Sequence, residues 1–392
     1  MSSVVTVPQG GPTVPPPLSL YVHLPWCVRK CPYCDFNSHA VNDDLPETRY
    51  LDALSRDLEQ AVPRVWGREV GSIFIGGGTP SLFSPAAIDR LLTMARTLLR
   101  VSPLAEITLE ANPGTAEAGR FRGYAEAGVN RLSLGIQSFD DRHLLALGRI
   151  HDAREARAAA EMALAIFERV NLDLMYALPG QTLDEAHADI ETALALGPGH
   201  LSCYHLTVEA NTPFAANPPQ LPDDDLAADM QMMVEDSLGT AGYTHYETSA
   251  FARDGQGCRH NLNYWQFGDY LGIGAGAHAK LSFHDRIERE ARVKHPREYM
   301  DNMLAGLADQ SIETRSLSRG DRVFEFMMNA LRLTEGFDKG LFEVRTGLSV
   351  AALSAGLSEA EGRGLIEQDL HRIRPTLRGR RYLNDLLQVF LA

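Results

Sequence analysis

The sequence predicts an α/β fold, in which a partial (β/α)6 barrel is followed by a smaller, mainly helical, winged-helix-like domain. Three observations support this prediction. Six short segments rich in aliphatic and β-branched residues alternate with segments whose apolar residues recur every three or four positions. Turn residues such as NPG and LPGQT stand where the predicted strands end. The alternation fades after the Pro-rich stretch at 213–222.

The predicted elements follow one another in a simple order. They are LSLYVHL; VGSIFI with a helix near 86–100; AEITLE with a helix near 116–127; NRLSLGI before the region 142–167; VNLDLM with a helix at 183–196; HLSCYHL; and a further helix at 225–241. In parallel barrels the chemistry lies at the carboxyl ends of the strands, so we expect the motifs at these ends to meet.

The chain divides into four predicted parts. Residues 1–17 are predicted to be a flexible Pro-rich arm and 18–245 the barrel. Residues 246–316 form a connecting region that contains the segment HNLNYW, and 317–392 form the carboxyl-terminal domain. In this last part a helix, a short basic strand pair and a final helix suggest the winged-helix-like module.

Composition narrows the class of protein. A hydrophobic content of 44% fits a folded protein of 392 residues, and a formal net charge of −14 argues against nucleic acid as a partner. The sequence contains no apolar run long enough to span a membrane and no basic start with an apolar core, as a secretory signal has. Three of the five cysteines stand within eight residues, which indicates a metal site in a reducing compartment. We therefore expect a cytoplasmic protein.

The cysteine motif C-V-R-K-C-P-Y-C is the strongest chemical signal. It places Cys27, Cys31 and Cys34 on one short loop. Three thiolates on such a loop can hold a [4Fe–4S] cluster and leave the fourth iron open to a small chelating molecule. The rival interpretation is a zinc site, with His23 or His39 as fourth ligand. Cys203 and Cys258 are expected to be small buried residues.

A glycine-rich turn follows the second predicted strand. Gly76, Gly77, Gly78 and Thr79 let the backbone approach a ligand where a side chain would collide with it. The segment lacks the GK[ST] of a phosphate-binding loop and the third glycine of a dinucleotide site. Beside the cysteines it fits a cradle for the amino group of a bound amino acid.

Together these motifs resemble a known family. LYVHLPWCVRKCPYCDFNSHA, IFIGGGTPS, LEANPGT, RLSLGIQSF, LGRIH, NLDLMYALPGQT and HNLNYW are similar, in this order, to the HemN/HemW group of radical S-adenosylmethionine (SAM) proteins, and within it to the HemW family of haem chaperones. The resemblance extends from about Leu18 to Leu391. It implies a [4Fe–4S] cluster, SAM and haem as cofactors.

The resemblance also assigns roles to residues. Cys27, Cys31 and Cys34 would hold the cluster, and no catalytic residue is assigned. Residues expected at the SAM site are Tyr21, Tyr33, Gly77, Gly78, Thr79, Glu110, Gln137, Arg149 and Asp173. Those expected at haem are His260, Tyr264 and Trp265, with His278 as a second candidate that the oxidases of the group share.

Three functions remain open on the sequence. The first is haem delivery to an acceptor protein, of which a peripheral membrane protein is one candidate. The second is oxygen-independent coproporphyrinogen III oxidation. The oxidases of the group carry a further cysteine where this chain has Phe36, and a longer amino-terminal extension, so the resemblance favours the chaperone. The third is an iron–sulfur scaffold that binds no porphyrin.

Overall fold

The polar and apolar residues of the first strands alternate, which gives the sheet one apolar and one polar face. The computed structural model describes residues 10–41, 44–115 and 118–391. The strands up to the predicted end of the barrel are β1 (Leu18–Leu24), β2 (Trp26–Cys27), β3 (His39–Ala40), β4 (Glu69–Gly77), β5 (Arg100–Ala111), β6 (Arg131–Gln137), β7 (Arg169–Tyr176), β8 (His200–His205) and β9 (Thr244–Glu247). The helices of the same part are α1 (Glu47–Ala61), α2 (Pro85–Leu98), α3 (Ala118–Ala127), α4 (Asp141–Ala146), α5 (Ala153–Ile166), α6 (Leu183–Leu196), α7 (Pro213–Ala216) and α8 (Asp224–Thr240).

The remaining elements complete one large sheet and a small separate one. The strands are β10 (Ala250–Ala252), β11 (Asp269–Ile273), β12 (His278–Ser282), β13 (Ile287–Arg292), β14 (Ile312–Ser316), β15 (Phe337–Asp338), β16 (Ile366–Gln368) and β17 (Arg372–Pro375). The helices are α9 (Arg259–Trp265), α10 (Pro296–Leu304), α11 (Arg319–Ala330), α12 (Lys339–Thr346), α13 (Ser354–Gly362), α14 (Leu377–Arg381) and α15 (Leu383–Gln388).

The six predicted barrel strands are neighbours in the sheet, in sequence order and all parallel. They run β1-β4-β5-β6-β7-β8 within a twelve-stranded sheet. The predicted α/β class and partial barrel are therefore confirmed. Beyond the prediction, β11 pairs in parallel with the free edge of β1, and β12, β13 and β14 continue the sheet antiparallel. Strands β11 to β14, in the predicted connecting region, thus belong to the same sheet.

The two faces of the sheet have different environments. Leu20, Val22 and Leu24 of β1 are fully buried in the core that the helices cover. The alternate residues point to the other face, where the Oγ atoms of Ser19 and Ser72 lie 2.7 Å apart. Period-two alternation therefore places the polar residues of successive strands inside the partial barrel.

Helix α1 was not predicted, although its residues are strongly amphipathic. It packs Tyr50, Leu54 and Leu58 into the barrel core, and the Tyr50 hydroxyl donates to the His23 carbonyl at 2.8 Å. The predicted helices near 86–100 and 116–127 are α2 and α3, and residues 116 and 117 lie outside the described residues. The region 142–167 contains two helices, α4 and α5.

The beginning of the described chain lies along the barrel. Gly11 N donates to the His284 carbonyl at 2.8 Å, and the Arg68 guanidinium donates to the Pro16 carbonyl at 2.6 Å. Of the predicted flexible arm, 1–17, residues 1–9 lie outside the described residues. The part from Gly10 is hydrogen-bonded to the fold.

The carboxyl-terminal module has its own apolar core. Phe326, Phe342 and Ile373 are fully buried there, and β15, β17 and β16 form a three-stranded antiparallel sheet beside the helices. The predicted mainly helical domain with its strand pair is confirmed. Ile287 of β13 and Phe267, just before β11, also belong to this core, so the module packs directly on the barrel.

Candidate functional site

The cysteine loop leaves the sheet at the carboxyl end of β1. It is held by a short parallel pairing of β2 with β3 and by a turn in which Cys34 N donates to the Cys31 carbonyl at 3.2 Å. Cys27, Cys31 and Cys34 are each half-buried, and all three line one cavity. The sequence-predicted cluster ligands are therefore brought to one place.

The cavity occupies the carboxyl ends of the parallel strands, inside the partial barrel. Its volume is about 480 Å³. It is lined by the cysteine loop on one side and by polar residues of β4 to β8 on the other. The sequence-predicted residues that line it are Cys27, Cys31, Tyr33, Cys34, Gly77, Gly78, Thr79, Glu110, Gln137, Arg149 and Asp173.

The glycine turn is required by the protein's own packing. Gly77 has φ of +117°, and a Cβ there would lie 2.7 Å from the His23 ring. A Cβ on Gly78 would lie 2.5 Å from the Trp26 carbonyl oxygen. These glycines thus let the turn lie directly against the cysteine loop. The Thr79 hydroxyl, which follows them, lies 3.5 Å from Cys27 Sγ.

Two half-buried carboxyl groups face the cavity. Glu110 Oε2 accepts a hydrogen bond from Gly77 N at 3.1 Å. Burial, and to a smaller extent the Asp173 carboxylate, raise the pKa of Glu110 to about 8. Burial also raises the pKa of Asp173, although hydrogen bonds from Asn171 and Ser133 oppose the shift. A pair of carboxyl groups that resists ionisation is a site for a cation, which would stabilise the charged forms.

One guanidinium balances this pair near the cysteines. Arg149 is hydrogen-bonded to Asn112 Oδ1 at 2.5 Å and to the Gly135 carbonyl at 2.8 Å, and its Nη1 lies 3.7 Å from Cys31 Sγ. Gln137, at the end of β6, has φ of +71°, in the left-handed region that costs a side-chain-bearing residue energy. The site therefore offers guanidinium and carboxyl groups to a ligand that carries both signs of charge.

Asn112 is a site residue that sequence reasoning missed. Its Nδ2 donates to the Thr79 hydroxyl at 2.9 Å, while its Oδ1 accepts from Arg149, so it connects the glycine turn with the guanidinium. The available signal was its place directly after the strand AEITLEA, where a polar residue ends an apolar run.

The cysteine geometry fits a cluster better than a zinc ion. Among the described residues no three His, Cys, Asp or Glu side chains converge on a point where a single ion would sit. His23 Nδ1 is hydrogen-bonded to the Tyr21 hydroxyl at 2.9 Å and its Nε2 to the Asn37 carbonyl at 2.9 Å, and His39 Nε2 lies 3.3 Å from Asn37 Oδ1. The three cysteines around an open cavity therefore fit a group larger than one ion, with room beside it for SAM.

The HNLNYW segment forms helix α9, which closes the barrel from the amino ends of the strands. Arg259 N, at its start, donates to Glu106 Oε1 at 2.7 Å, and Arg259 Nη1 donates to the Leu104 carbonyl at 3.0 Å. Cys258 and Asn261 line the floor of the cavity.

His260 points into the barrel instead of the cavity. It is only 1% exposed, and its ring centroid lies 4.9 Å from that of Phe74 and 4.6 Å from that of Tyr264. Its Nδ1 lies 3.3 Å from Ser72 Oγ, and its Nε2 has no hydrogen-bond partner among the residues that the structure describes. Burial lowers its pKa to about 3, so the imidazole is neutral at physiological pH.

The other predicted haem residues and Tyr21 also lie away from the cavity. Tyr264 packs against the Tyr270 ring at 4.5 Å, and the Arg332 guanidinium lies 4.3 Å from the centre of the Trp265 ring. Tyr21 packs beside Phe74 in the barrel, and its hydroxyl bonds to His23. The structure thus gathers the predicted cluster residues and most predicted SAM residues, and it places the haem motif beneath them.

Below the predicted SAM residues, the cavity floor is a polar layer that sequence reasoning missed. Arg131, Asn171 and His200 line it. Arg131 is 1% exposed, and Glu106 Oε2 lies 3.5 Å from its Nη1. The signal was available in RLSLG, VNLDL and HLSCY, where polar residues occupy every second position of buried strands.

Known proteins resemble this chain over nearly its whole length. The chain matches the model of the radical SAM superfamily over residues 21–193 and that of the HemN C-terminal domain over residues 317–382. It is 49% identical to the heme chaperone HemW of Escherichia coli (strain K12), over 96% of this chain and 99% of that protein. It is 48% identical to the heme chaperone HemW of Haemophilus influenzae, over 96% and 98% of the two chains. Among solved structures, it superposes on coproporphyrinogen III oxidase (HemN) from Escherichia coli with a TM-score of 0.81 and 25% identity, over 96% of this chain and 91% of that one.

Proposed function

This chain belongs to the HemW family of radical SAM proteins, and from that premise we propose that it is a haem chaperone, which binds a [4Fe–4S] cluster, SAM and haem and passes the haem to an acceptor protein. The observation that carries the proposal is the identity of 49% to a protein named heme chaperone HemW, over almost the whole of both chains. The neutral imidazole of His260 in HNLNYW also supports it, because Nε2 has no hydrogen-bond partner among the residues that the structure describes.

The cluster and SAM are assigned to the cavity. Cys27, Cys31 and Cys34 would hold three irons through their thiolates. When bound and reduced, a cluster of this kind supplies an electron to the sulfonium of SAM. Around it, Arg149 would pair with a carboxylate, and Glu110 and Asp173 would pair with an ammonium group. Tyr33 lines the cavity beside the cysteines.

Haem is assigned to α9. A neutral imidazole with a free nitrogen is a good axial ligand for haem iron, and aromatic rings pack well on a porphyrin. His260 would provide the axial imidazole, and Tyr264 and Trp265 would provide the aromatic rings. Since His260 is 1% exposed, the helix must leave its place in the barrel before the imidazole can meet iron. The proposal therefore includes a movement of α9.

The likeness to coproporphyrinogen III oxidase makes that enzyme the second candidate. Phe36 argues against it, because the oxidases of the group have a cysteine at this position, whereas the Phe36 side chain is exposed beside the cluster loop. We therefore expect no protoporphyrinogen when the anaerobically reconstituted protein is incubated with coproporphyrinogen III, SAM and a strong reductant. Product at catalytic turnover would overturn the chaperone proposal.

The acceptor belongs to the class of haem-accepting proteins, and we place the exchange in the cytoplasm, where the thiols of the cluster loop stay reduced. No helix among the described residues is long and apolar enough to cross a membrane. A peripheral membrane protein is one acceptor that this proposal includes.

The direct test is an optical titration with haem. We expect a wild-type spectrum typical of imidazole ligation, and we expect His260→Ala to lose that signature and to weaken binding at least about tenfold, since one axial bond disappears. His278→Ala is the matched control. His278 is the second haem candidate and is exposed at the start of β12, so this variant should behave as wild type. Equal spectra for wild type and His260→Ala would remove His260 as the ligand, and a wild-type protein that binds no haem would sink the chaperone proposal.

A further inference from the structure

A chain of four hydrogen bonds runs beneath the cavity, from the SAM side of the site to the start of α9. Asn171 Nδ2 donates to Asp173 Oδ1 at 2.8 Å, and Asn171 Oδ1 lies 2.6 Å from His200 Nδ1. His200 Nε2 lies 2.7 Å from the Tyr246 hydroxyl oxygen, which accepts from Cys258 N at 3.3 Å. We call these five residues the relay.

The donors of the relay all point the same way. The amide nitrogen of Asn171 donates to Asp173 and also to Ser133 Oγ, so its oxygen is the acceptor toward His200. His200 therefore carries its proton on Nδ1 and accepts at Nε2, where the Tyr246 hydroxyl donates. The direction of every bond leads from the Cys258 amide to the Asp173 carboxyl group.

Burial makes this chain sensitive to the charge at its end. His200 is 2% exposed and Asn171 is 4% exposed. Hydrogen bonds that follow one another in such a low-dielectric place polarise each other, and a bond to an ionised carboxylate is about twice as strong as one to a neutral group. The charge state of Asp173 therefore changes the strength of the bond that holds Cys258.

Both ends of the relay reach groups with a proposed role. Asp173 lines the cavity assigned to SAM. Cys258 is the residue before the first turn of α9; its own side chain does not cap the helix, and Glu106 Oε1 accepts from the next amide, Arg259 N, at 2.7 Å. The Tyr246 hydroxyl is thus one of the few groups that fix the beginning of the helix that carries His260.

We propose that the relay couples SAM binding to the position of α9, so that bound SAM holds α9 in the barrel and thereby weakens haem binding. The inference rests on the proposed function for the identity of the two ligands. The cationic groups of SAM favour ionised Asp173, which strengthens the relay and keeps His260 buried. By linkage, haem weakens SAM binding by the same factor. SAM binding is then a signal for haem release, and Asn171, His200 and Tyr246 are positioning residues of the chaperone.

The first test needs no haem. Amide hydrogen exchange of residues 258–266 is measured in the anaerobically reconstituted protein with and without saturating SAM. In wild type, SAM should slow this exchange by about fivefold or more, the lower range of ordinary coupling energies. Tyr246→Phe, which removes only the hydroxyl, should abolish the SAM effect. Tyr243→Phe is the matched control, because its buried hydroxyl donates to the Pro198 carbonyl outside the relay, and it should keep the effect.

The second test measures the haem dissociation constant with and without SAM. We expect SAM to raise it by about fivefold or more in wild type and Tyr243→Phe, and by a factor near one in Tyr246→Phe. A variant that only damaged the fold would weaken both ligands and leave the ratio unchanged. Equal ratios for Tyr246→Phe and wild type, or a SAM effect of the opposite sign, would overturn the proposal.

A further variant protects the test against a failure to fold. His200→Asn keeps an amide where Nδ1 stood and lacks Nε2, so it interrupts the relay at Tyr246 and should also lose the SAM effect. The outcomes separate the two proposals. If the protein binds no haem but SAM still slows the exchange, the relay proposal stands and the chaperone proposal is overturned. If the protein binds both ligands but SAM does not change the exchange rate, the relay proposal is overturned.

Discussion

The protonation state of Glu110 should affect ligand binding in the cavity. Glu110 is half-buried beside Asp173, and its Oε2 accepts a hydrogen bond from the Gly77 amide at 3.1 Å. With a pKa of about 8, it is mostly protonated at pH 7 before a ligand arrives. A cationic ligand favours the charged form, so SAM binding should release this proton.

This release predicts a pH dependence of SAM affinity. Below pH 8 binding must first remove the proton, so the affinity should rise with pH by up to about tenfold per unit and level off above pH 8, where Glu110 is already ionised. In Glu110→Gln the dependence should disappear, with weaker binding at high pH. Equilibrium dialysis of SAM between pH 6 and pH 9 measures both.

The control for this experiment is a carboxylate at the exposed rim of the same cavity. Glu209→Gln should keep the rise below pH 8, because Glu209 is open to solvent. A pH profile that is the same in Glu110→Gln and wild type would show that another group carries the proton.

Site residues that cluster in the sequence could be predicted from it. Site residues that only the pairing of strands brings together could not. Cys27, Cys31 and Cys34 stand close together, and Gly77 and Gly78 form a run, so both groups were predicted and now line the cavity. Their functional roles remain predictions. Arg131, Asn171 and His200 each belong to a short polar–apolar alternation in a different strand. Only the register of β6, β7 and β8 brings them together, and no local pattern encodes that register.

Helix α9 carries the proposed haem ligand, and the proposed function requires it to move. It is seven residues long, too short to be stable by itself, and it is held by contacts at both ends. At its far end Asn263 Nδ2 donates to the Asp269 carbonyl at 2.8 Å, and Phe267, with φ of +54°, stands in a strained backbone conformation two residues beyond the helix. The strain and the few anchors favour an element that can leave its place.

If haem must wait for α9 to move, the observed haem association rate should reach a limit at high haem concentration. Asn263→Ala removes one anchor, worth about 1 kcal/mol, and should raise that limit about fivefold. SAM affinity should change little, because Asn263 does not line the cavity. Stopped-flow absorbance of the anaerobic protein mixed with excess haem measures the rate.

The matched control is Asn329→Ala. Asn329 is also a helical asparagine whose Nδ2 donates to a backbone carbonyl, that of Glu325, but it lies on α11. It should leave the limiting rate unchanged. A rate that grows linearly with haem concentration in every variant would mean that His260 is reached without a movement of α9.

At this scale the sequence predicts long periodic elements well and short ones poorly. The helix expected at 183–196 has the bounds observed for α6, because a capping box and a terminal glycine mark its ends. HNLNYW spans less than two helical turns, so its spacing could not distinguish a helix from a loop. Strands β11 to β14 are only five or six residues long. Their position in the sheet depends on the pairing of β11 with β1, which is distant in the sequence.

For the whole molecule, the carboxyl-terminal module is more than an appendage, because it supports the outer side of α9. Arg332 connects the two parts. Its guanidinium lies over the Trp265 ring, its Nη2 is 3.2 Å from Glu247 Oε2, and its carbonyl accepts from Thr248 N. The model of the HemN C-terminal domain begins at residue 317, where the chain enters this module. The sequence predicted the module, but its contact with α9 depends on how two separate cores meet.

Removal of this connection should destabilise the chain through a buried charge. Glu247 is 3% exposed, so Arg332→Ala leaves its carboxylate unpaired and should lower the free energy of unfolding by about 2 kcal/mol. Adding Glu247→Gln should restore part of the loss, since a neutral amide needs no counter-ion. Burial raises the pKa of Glu247 and Arg332 opposes the shift, so without Arg332 the pKa rises further. The deficit of Arg332→Ala is therefore largest at pH 8 and shrinks toward pH 5, where the carboxylate takes up a proton.

Thermal or denaturant unfolding of these variants at both pH values provides the measurement, with Arg374→Ala as the control. The Arg374 guanidinium is 3.7 Å from Glu367 and 39% exposed, so its loss should change stability by less than about 0.5 kcal/mol. A deficit in Arg332→Ala that Glu247→Gln does not reduce, and that is equal at pH 5 and pH 8, would place the cost in the lost contact with Trp265 instead. The contact with Trp265 would then be what Arg332 contributes to holding α9, and the haem association limit should rise in Arg332→Ala as it does in Asn263→Ala.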